Sequence, residues 1–315
     1  MIVINKKLLL FALLVFLSYI VIGLFLDAYN LRPDLNLRVN YGSECIFKFN
    51  LIQNANIELA QLYNQIKHIS DFATCLIFSS VFTSKTYTLF LLPPLLGLLL
   101  YFVMVSYFLK NMPTRPVPYI TIYLILMFPS IIFSVGEHFK STVGLIFLFI
   151  SLSTKNKFKN LIFLSLSVLA HVTSLISFII FRILDLESIW KKLICVFIFA
   201  LFCYLINIIY LSVNTDDWGN PINSISYDFQ TILVLTLGSI LGFNIKNESN
   251  YLFNIFPLVL LIILGSTIIG GRAITVAAPL LLAQGLIRNP NLWIMLVPMS
   301  LLNLIFITNL FSLLK

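Results

Sequence analysis

Charge is scarce in this chain. Asp, Glu, Lys and Arg supply 10% of its 315 residues, where a soluble domain carries about 25%. A chain so poor in charge cannot cover a surface that faces water on all sides, which excludes an ordinary soluble domain. The four cysteines, Cys45, Cys75, Cys195 and Cys203, show no CxxC and no metal-ligand spacing, so no metal centre is expected. Cys45 and Cys75 leave a disulfide open if both lie outside the cytoplasm. The net charge of +8 is scattered through loops and forms no basic stripe, which removes nucleic acid as a partner. The apolar runs lack the two-residue alternation of barrel strands. The two halves of the chain show no repeat, so an inverted-repeat transporter gains no support.

Apolar residues are abundant instead. They make up 60% of the chain, and the mean hydropathy is +1.01. Runs such as "LLLFALLVFLSYIVIGLFL" are unbroken and long enough to cross a bilayer as helices. The expected fold is therefore all-α: one polytopic integral membrane bundle over residues 1–315, with roughly 10–12 spans, some short or broken. Lys6 and Lys7 precede the first run as they would in a signal peptide. That run is too long for a signal h-region, however, and no A-x-A site follows, so it reads as the first span.

Positive loops stay in the cytoplasm. With Lys6 and Lys7 inside, the first span covers about 7–26 and the mixed-charge stretch near 27–67 becomes an external loop. "DFATCLIFSSVFTSK" is short and polar, and a strong span follows at about 87–109. Reading the short segment as re-entrant or interfacial keeps both "KNMPTRP" and the more basic "KNKFKN" inside. Spans then fall near 118–135, going out, and 141–154, coming in, with "GEHFK" as the external turn between them. From Asn160 to His171 is only about 17 Å of helix, roughly half of a ~30 Å core. The next apolar stretch therefore reads as two short helices that turn at His171, which keeps Arg182, Lys191 and Lys192 inside. The acidic stretch 214–228 becomes external, Lys246 internal, "GGR" external and Arg288 internal. The count of crossings comes out odd and leaves Lys315 outside.

This orientation gathers Glu137, His138, Lys140, His171 and Arg272 at one external membrane face. Singly, each has an ordinary reading. Lys140 can be a snorkelling anchor, His171 a packed imidazole bonded to a carbonyl, Arg272 a helix cap, and Glu137 a counter-charge to Lys140. Together they are harder to dismiss, because ionisable groups at membrane depth cost a few kcal/mol each and mark sites or pathways. Clustered cations suit an anionic headgroup such as a diphosphate. A histidine or glutamate beside them is suited to take a proton from a sugar hydroxyl.

At these residues the chain resembles the EpsG-like and Wzy-type polysaccharide polymerases. The resemblance rests on "GEHFKSTVGLIFLFISLSTKNKFKNLIFLSLSVLAHVTSLISFIIF", on "DLNLRVNYGSECIF" in the first loop, and on the late arginine of "GGRAITVAAPLLL". It implies a GT-C-like glycosyltransferase of the bacterial inner membrane whose active face is periplasmic. Such enzymes move a growing glycan from undecaprenyl diphosphate onto the next lipid-linked repeat unit, without a nucleotide sugar or other cofactor. A chain-length regulator and a flippase of the same pathway would be partners. Arg272 and Lys140 would hold the diphosphate, and His171, Glu137 or His138 would serve as acceptor base. Asp34, Asn40, Tyr41 and Glu44 would bind sugar, as would Asp216, Asp217 and Trp218. Many relatives carry arginine where this chain has Lys140, and lysine keeps the charge while losing the bidentate fork. A flippase for the same lipid-linked sugars, or another lipid-phosphosugar transferase or ligase, is the alternative reading.

Overall fold

The computed structural model describes residues 6–28, 85–112, 119–127, 131–132, 135, 139–171 and 173–184, and after these only residues 186, 188, 190–191, 194–195, 197–198, 201, 280, 283 and 287. The described residues are helical, with turns and short extended positions between helices and no strand among them. Among the described residues six helices have defined bounds: α1 (Lys6–Ala28), α2 (Lys85–Asn111), α3 (Tyr119–Leu126), α4 (Phe139–Ser153), α5 (Lys157–Ala170) and α6 (Thr173–Leu184). The chain divides into two compact units. The first comprises Met1–Leu126 and Ile131–Val172, and the second Met127–Ser130 and Thr173–Lys315.

Among the described residues two helices have the length and apolar composition of a membrane span, Lys6–Leu24 in α1 and Leu91–Asn111 in α2. In α1 the inward face is Leu8, Ala12, Val15 and Tyr19, spaced by four, three and four residues, all buried. Its outward face is equally apolar. Leu9, Leu10, Leu13, Leu17 and Val21 are exposed, Val21 by 66%. A water-facing helix would carry polar residues there, and a helix apolar all round belongs in a protein core or in lipid. The exposed leucines of α1 are not in a core, which supports a membrane protein.

α1 and α2 cross at Gly97. A Cβ at that position would stand 2.6 Å from Tyr19 Cε2 and nearer still to Cδ2, so any side chain there would displace the Tyr19 ring or the helix that carries it. Tyr101 Oη donates to the Leu8 carbonyl (3.5 Å) further along, so residues 8 and 19 of α1 face 101 and 97 of α2. The two helices are antiparallel. α2 also continues through Pro93 and Pro94, which remove the N–H donors to residues 89 and 90.

α3 runs alongside α1. Tyr123 Oη lies 3.0 Å from Ser18 Oγ, and the buried Tyr19 Oη donates to the Leu126 carbonyl at 2.8 Å. The expected span runs to about 135; α3 ends at Leu126, and residues 131, 132 and 135 beyond it are again helical. Pro129 has no N–H to offer the Ile125 carbonyl, which weakens a continuous helix at this point. The Tyr19 hydroxyl satisfies one of the carbonyls left over at that terminus.

α2 and α4 are parallel and α5 returns antiparallel to α4. Tyr107 meets Phe149 edge-on with ring centroids 5.3 Å apart, and Lys110 meets Leu152 three residues further along both helices. α4 lies between α2 and α5 with many of its residues buried, whereas Ser167 is the only buried residue of α5. In the second unit, α6 turns Ser174, Ser177 and Phe181 inward and lays the Arg182 guanidinium 5.1 Å from the Phe178 ring centroid.

Candidate functional site

The α4–α5 hairpin carries the two described members of the sequence-derived cluster, Lys140 and His171. Its turn is defined at close quarters. Asn156 caps α5, its side-chain oxygen accepting from the N–H groups of Phe158 (2.9 Å) and Lys159 (3.2 Å). The end of α4 is capped by a cation from α2, because the Lys110 ammonium donates to the carbonyls of Leu152 (2.6 Å) and Thr154 (3.3 Å). Positive charge at a helix C-terminus meets both the dipole and the unsatisfied carbonyls.

Hydroxyls then set the register of the two helices. Ser151 Oγ lies 2.9 Å from Asn160 Oδ1 and 3.1 Å from the Asn160 carbonyl, donating at the turn end. Phe147 stacks on Phe163 at 6.4 Å in the middle. Ser167 Oγ donates to the Gly144 carbonyl at 2.6 Å in a buried contact. Positions 151, 147 and 144 thus pair with 160, 163 and 167. One more helical turn along the same register brings Lys140 to the level of His171.

Periodicity makes the same assignment. Ser151, Phe147 and Gly144 lie on the face of α4 that meets α5, and Lys140 is four residues before Gly144 on that face. Lys140 is only 8% exposed. A snorkelling lysine would extend its amine outward, so this side chain is not acting in that way.

His171 sits where α5 stops. Its N–H still donates to the Ser167 carbonyl (3.0 Å), but its backbone is extended (φ −157°, ψ 118°), and α6 begins at Thr173. The helix break expected at His171 is therefore present. Its side chain is half-buried. Chemically, this end of the hairpin offers a buried ammonium and, at the same level, an imidazole on irregular backbone. That combination suits an anionic group which needs charge balance next to a proton acceptor.

Glu137, His138 and Arg272 lie outside the described residues, as do Asp34, Asn40, Tyr41, Glu44, Asp216, Asp217 and Trp218. So do the first loop beyond Ala28, the stretch 214–228, the segment near 72–84 and the cysteines Cys45 and Cys75. Among the described residues no group of His, Cys, Asp and Glu is arranged to hold a metal ion.

The sequence reading passed over the residues that position this hairpin. Lys110 was counted only as loop charge. Ser151 and Ser167 were part of an apolar run, although both fall on one helix face with partners one hairpin turn away. Gly144, Ser151 and Ser167 are small residues in these helices, but so are Ser141, Thr142, Ser153 and Ser165, so the sequence does not single out the pairing ones.

Compared with protein-family models, curated proteins and solved structures, the chain returns no match.

Proposed function

We propose that the chain is a polytopic inner-membrane glycosyltransferase of the Wzy or EpsG type, with a GT-C-like arrangement of helices. It transfers a growing glycan from undecaprenyl diphosphate to the next lipid-linked repeat unit at the periplasmic face. The observation that carries this reading is the buried Lys140, on the α5-facing side of α4 and level with His171 at the helix break.

Depth adds support. Lys6, Lys7, Lys110, Lys155, Lys157 and Lys159 all fall at one end of the first unit, because α1 is antiparallel to α2, α4 parallel to it and α5 antiparallel to α4. An end this basic is cytoplasmic by the positive-inside rule. From Leu152, beside Lys110, to Lys140 is about 18 Å of helix, so Lys140 lies inside a ~30 Å hydrocarbon core and nearer its external side. Buried charge at that depth is expensive to maintain and points to function.

In the mechanism, Lys140 and Arg272 balance the diphosphate as the anomeric bond breaks and negative charge accumulates on the leaving oxygen. His171 takes the proton of the acceptor sugar hydroxyl, with Glu137 and His138 as the other candidate bases. The external loops supply sugar contacts through Asp34, Asn40, Tyr41 and Glu44 and through Asp216, Asp217 and Trp218. A chain-length regulator and a flippase act beside the enzyme.

The test is complementation of a deletion strain, read as the length ladder of the lipid-linked or lipid-attached glycan. The deletion leaves single repeat units, and the wild-type gene restores the ladder. His171→Ala at normal membrane level restores none of it. Loss of all attached glycan in the deletion strain would identify a ligase instead, and accumulation of repeat units on the cytoplasmic side would identify a flippase. A full ladder from His171→Ala would remove that residue from the chemistry.

A further inference from the structure

We propose that the α4–α5 turn and the outer face of α5 form a binding site for an anionic phospholipid. The headgroup rests on the lysines of the turn and an acyl chain lies along the helix. This site is at the opposite end of the hairpin from Lys140 and His171, and it depends on the membrane reading but not on the polymerase reading.

Two features of different chemistry meet here. The first is charge. Lys155, Lys157 and Lys159 are all exposed within five residues, and Lys6 and Lys7 are exposed at the same end of the unit. Among the described residues of this unit the one acid is Asp27, at the other end of α1. No described carboxylate lies at the lysines' end of the unit.

The second is an apolar track that starts among those lysines. Phe158 is 71% exposed, and Leu161, Ile162, Leu166 and Leu169 follow it on one face of α5, exposed by 37% to 60%. The spacing is helical, and the track runs about 16 Å along the axis. On a soluble surface such a stripe would call for a protein partner. Here it begins at a cationic turn and lies parallel to the helix axis, so one molecule with an anionic head and an apolar tail matches both parts. α5 has only 14 residues, about 21 Å. A bound lipid whose head is held at the turn offsets that short hydrophobic length.

The test uses the full-length protein in mild detergent, exchanged against phosphatidylglycerol or phosphatidylcholine, with bound lipids counted by native mass spectrometry. Wild type is expected to retain phosphatidylglycerol in clear preference to phosphatidylcholine. The Lys155→Gln/Lys157→Gln/Lys159→Gln variant is expected to lose about a hundredfold of that retention, the scale of removing three near-surface lysines. The matching Lys→Arg triple keeps it. Leu161→Ser/Leu166→Ser weakens retention of both lipids, because it breaks the tail path. Equal retention of the two lipids by wild type would overturn the proposal, as would unchanged phosphatidylglycerol retention in the Gln triple. Neither result bears on glycan transfer, whose own test reads the product ladder.

Discussion

The α4–α5 hairpin has lysines at both ends, and they are in opposite circumstances. At the turn, Lys155, Lys157 and Lys159 are exposed and their neighbours complete the helix caps. At the far end Lys140 is buried, on the face of α4 that meets α5, beside the helix break at His171. An exposed ammonium keeps its hydration and contributes little to stability in either direction. A buried one must be compensated by what surrounds it or by what binds it. The residue type is the same, and the environment decides which lysine is an orientation signal and which is a candidate for chemistry. Substitution at the two ends should therefore separate loss of activity from loss of fold.

The largest effect is expected at Lys140. Lys140→Met keeps the length and apolar stem of the side chain and removes the charge, so folding should survive while glycan extension falls by about a hundredfold or more, the scale of losing one preorganised electrostatic contact in a reaction site. Lys140→Arg restores charge and adds the bidentate fork, and should recover most of the ladder. Complementation with membrane levels checked by immunoblot measures both. A normal ladder from Lys140→Met would make this end of the hairpin equivalent to the other.

The second effect concerns the cation between the two extremes. Lys110 is a structural lysine whose ammonium holds the end of α4 through two carbonyls. Lys110→Met removes both charge-assisted bonds and the favourable dipole interaction, a loss of about 2 kcal/mol. The detergent-solubilised protein should unfold at a lower temperature, and any activity deficit should follow the amount of folded protein. A deficit at constant folded level would mean that displacing α4 at its basic end is felt at Lys140.

How much of this was legible beforehand differs element by element. The long spans were plain from apolar runs: about 7–26 was expected and α1 covers Lys6–Ala28, and about 87–109 was expected where α2 covers Lys85–Asn111. The break at His171 was also legible, because a polar residue stood where too little helix had accumulated to cross a bilayer. Pro129 falls inside the expected 118–135 span; α3 ends before it, and helical residues recur at 131, 132 and 135. Register was not legible at all. It depends on Ser167 reaching Gly144 and Ser151 reaching Asn160, contacts between helices that are invisible to a count of hydropathy. Burial of Lys140 depends on the same register, and without it that lysine, taken alone, reads as a snorkelling anchor.

Ser167 sharpens that point with a smaller effect. Ser167→Ala removes a hydroxyl that donates to the Gly144 carbonyl, at a cost of about 1 kcal/mol. Gly144 lies one turn from Lys140, so the variant also loosens the register that sets Lys140 level with His171. The expected result is a modest fall in thermal midpoint with a larger proportional fall in chain extension, read by comparing the glycan ladder with the folded fraction. Equal falls in the two quantities would restrict Ser167 to holding the helices together.

The smallest effect belongs to the exposed lysines. Lys155→Gln, Lys157→Gln and Lys159→Gln each remove a solvated charge that no described acid pairs with. The Asn156 cap, which orders the start of α5 through the N–H groups of Phe158 and Lys159, is untouched. Each single change should alter stability by less than about 0.5 kcal/mol, the ordinary scale for a surface substitution away from special features. Thermal unfolding of the purified protein in a zwitterionic detergent measures this without an anionic lipid to confuse it. A large loss from any one of them would show that the turn lysines are packed into the fold, and the contrast between the hairpin's two ends would no longer hold.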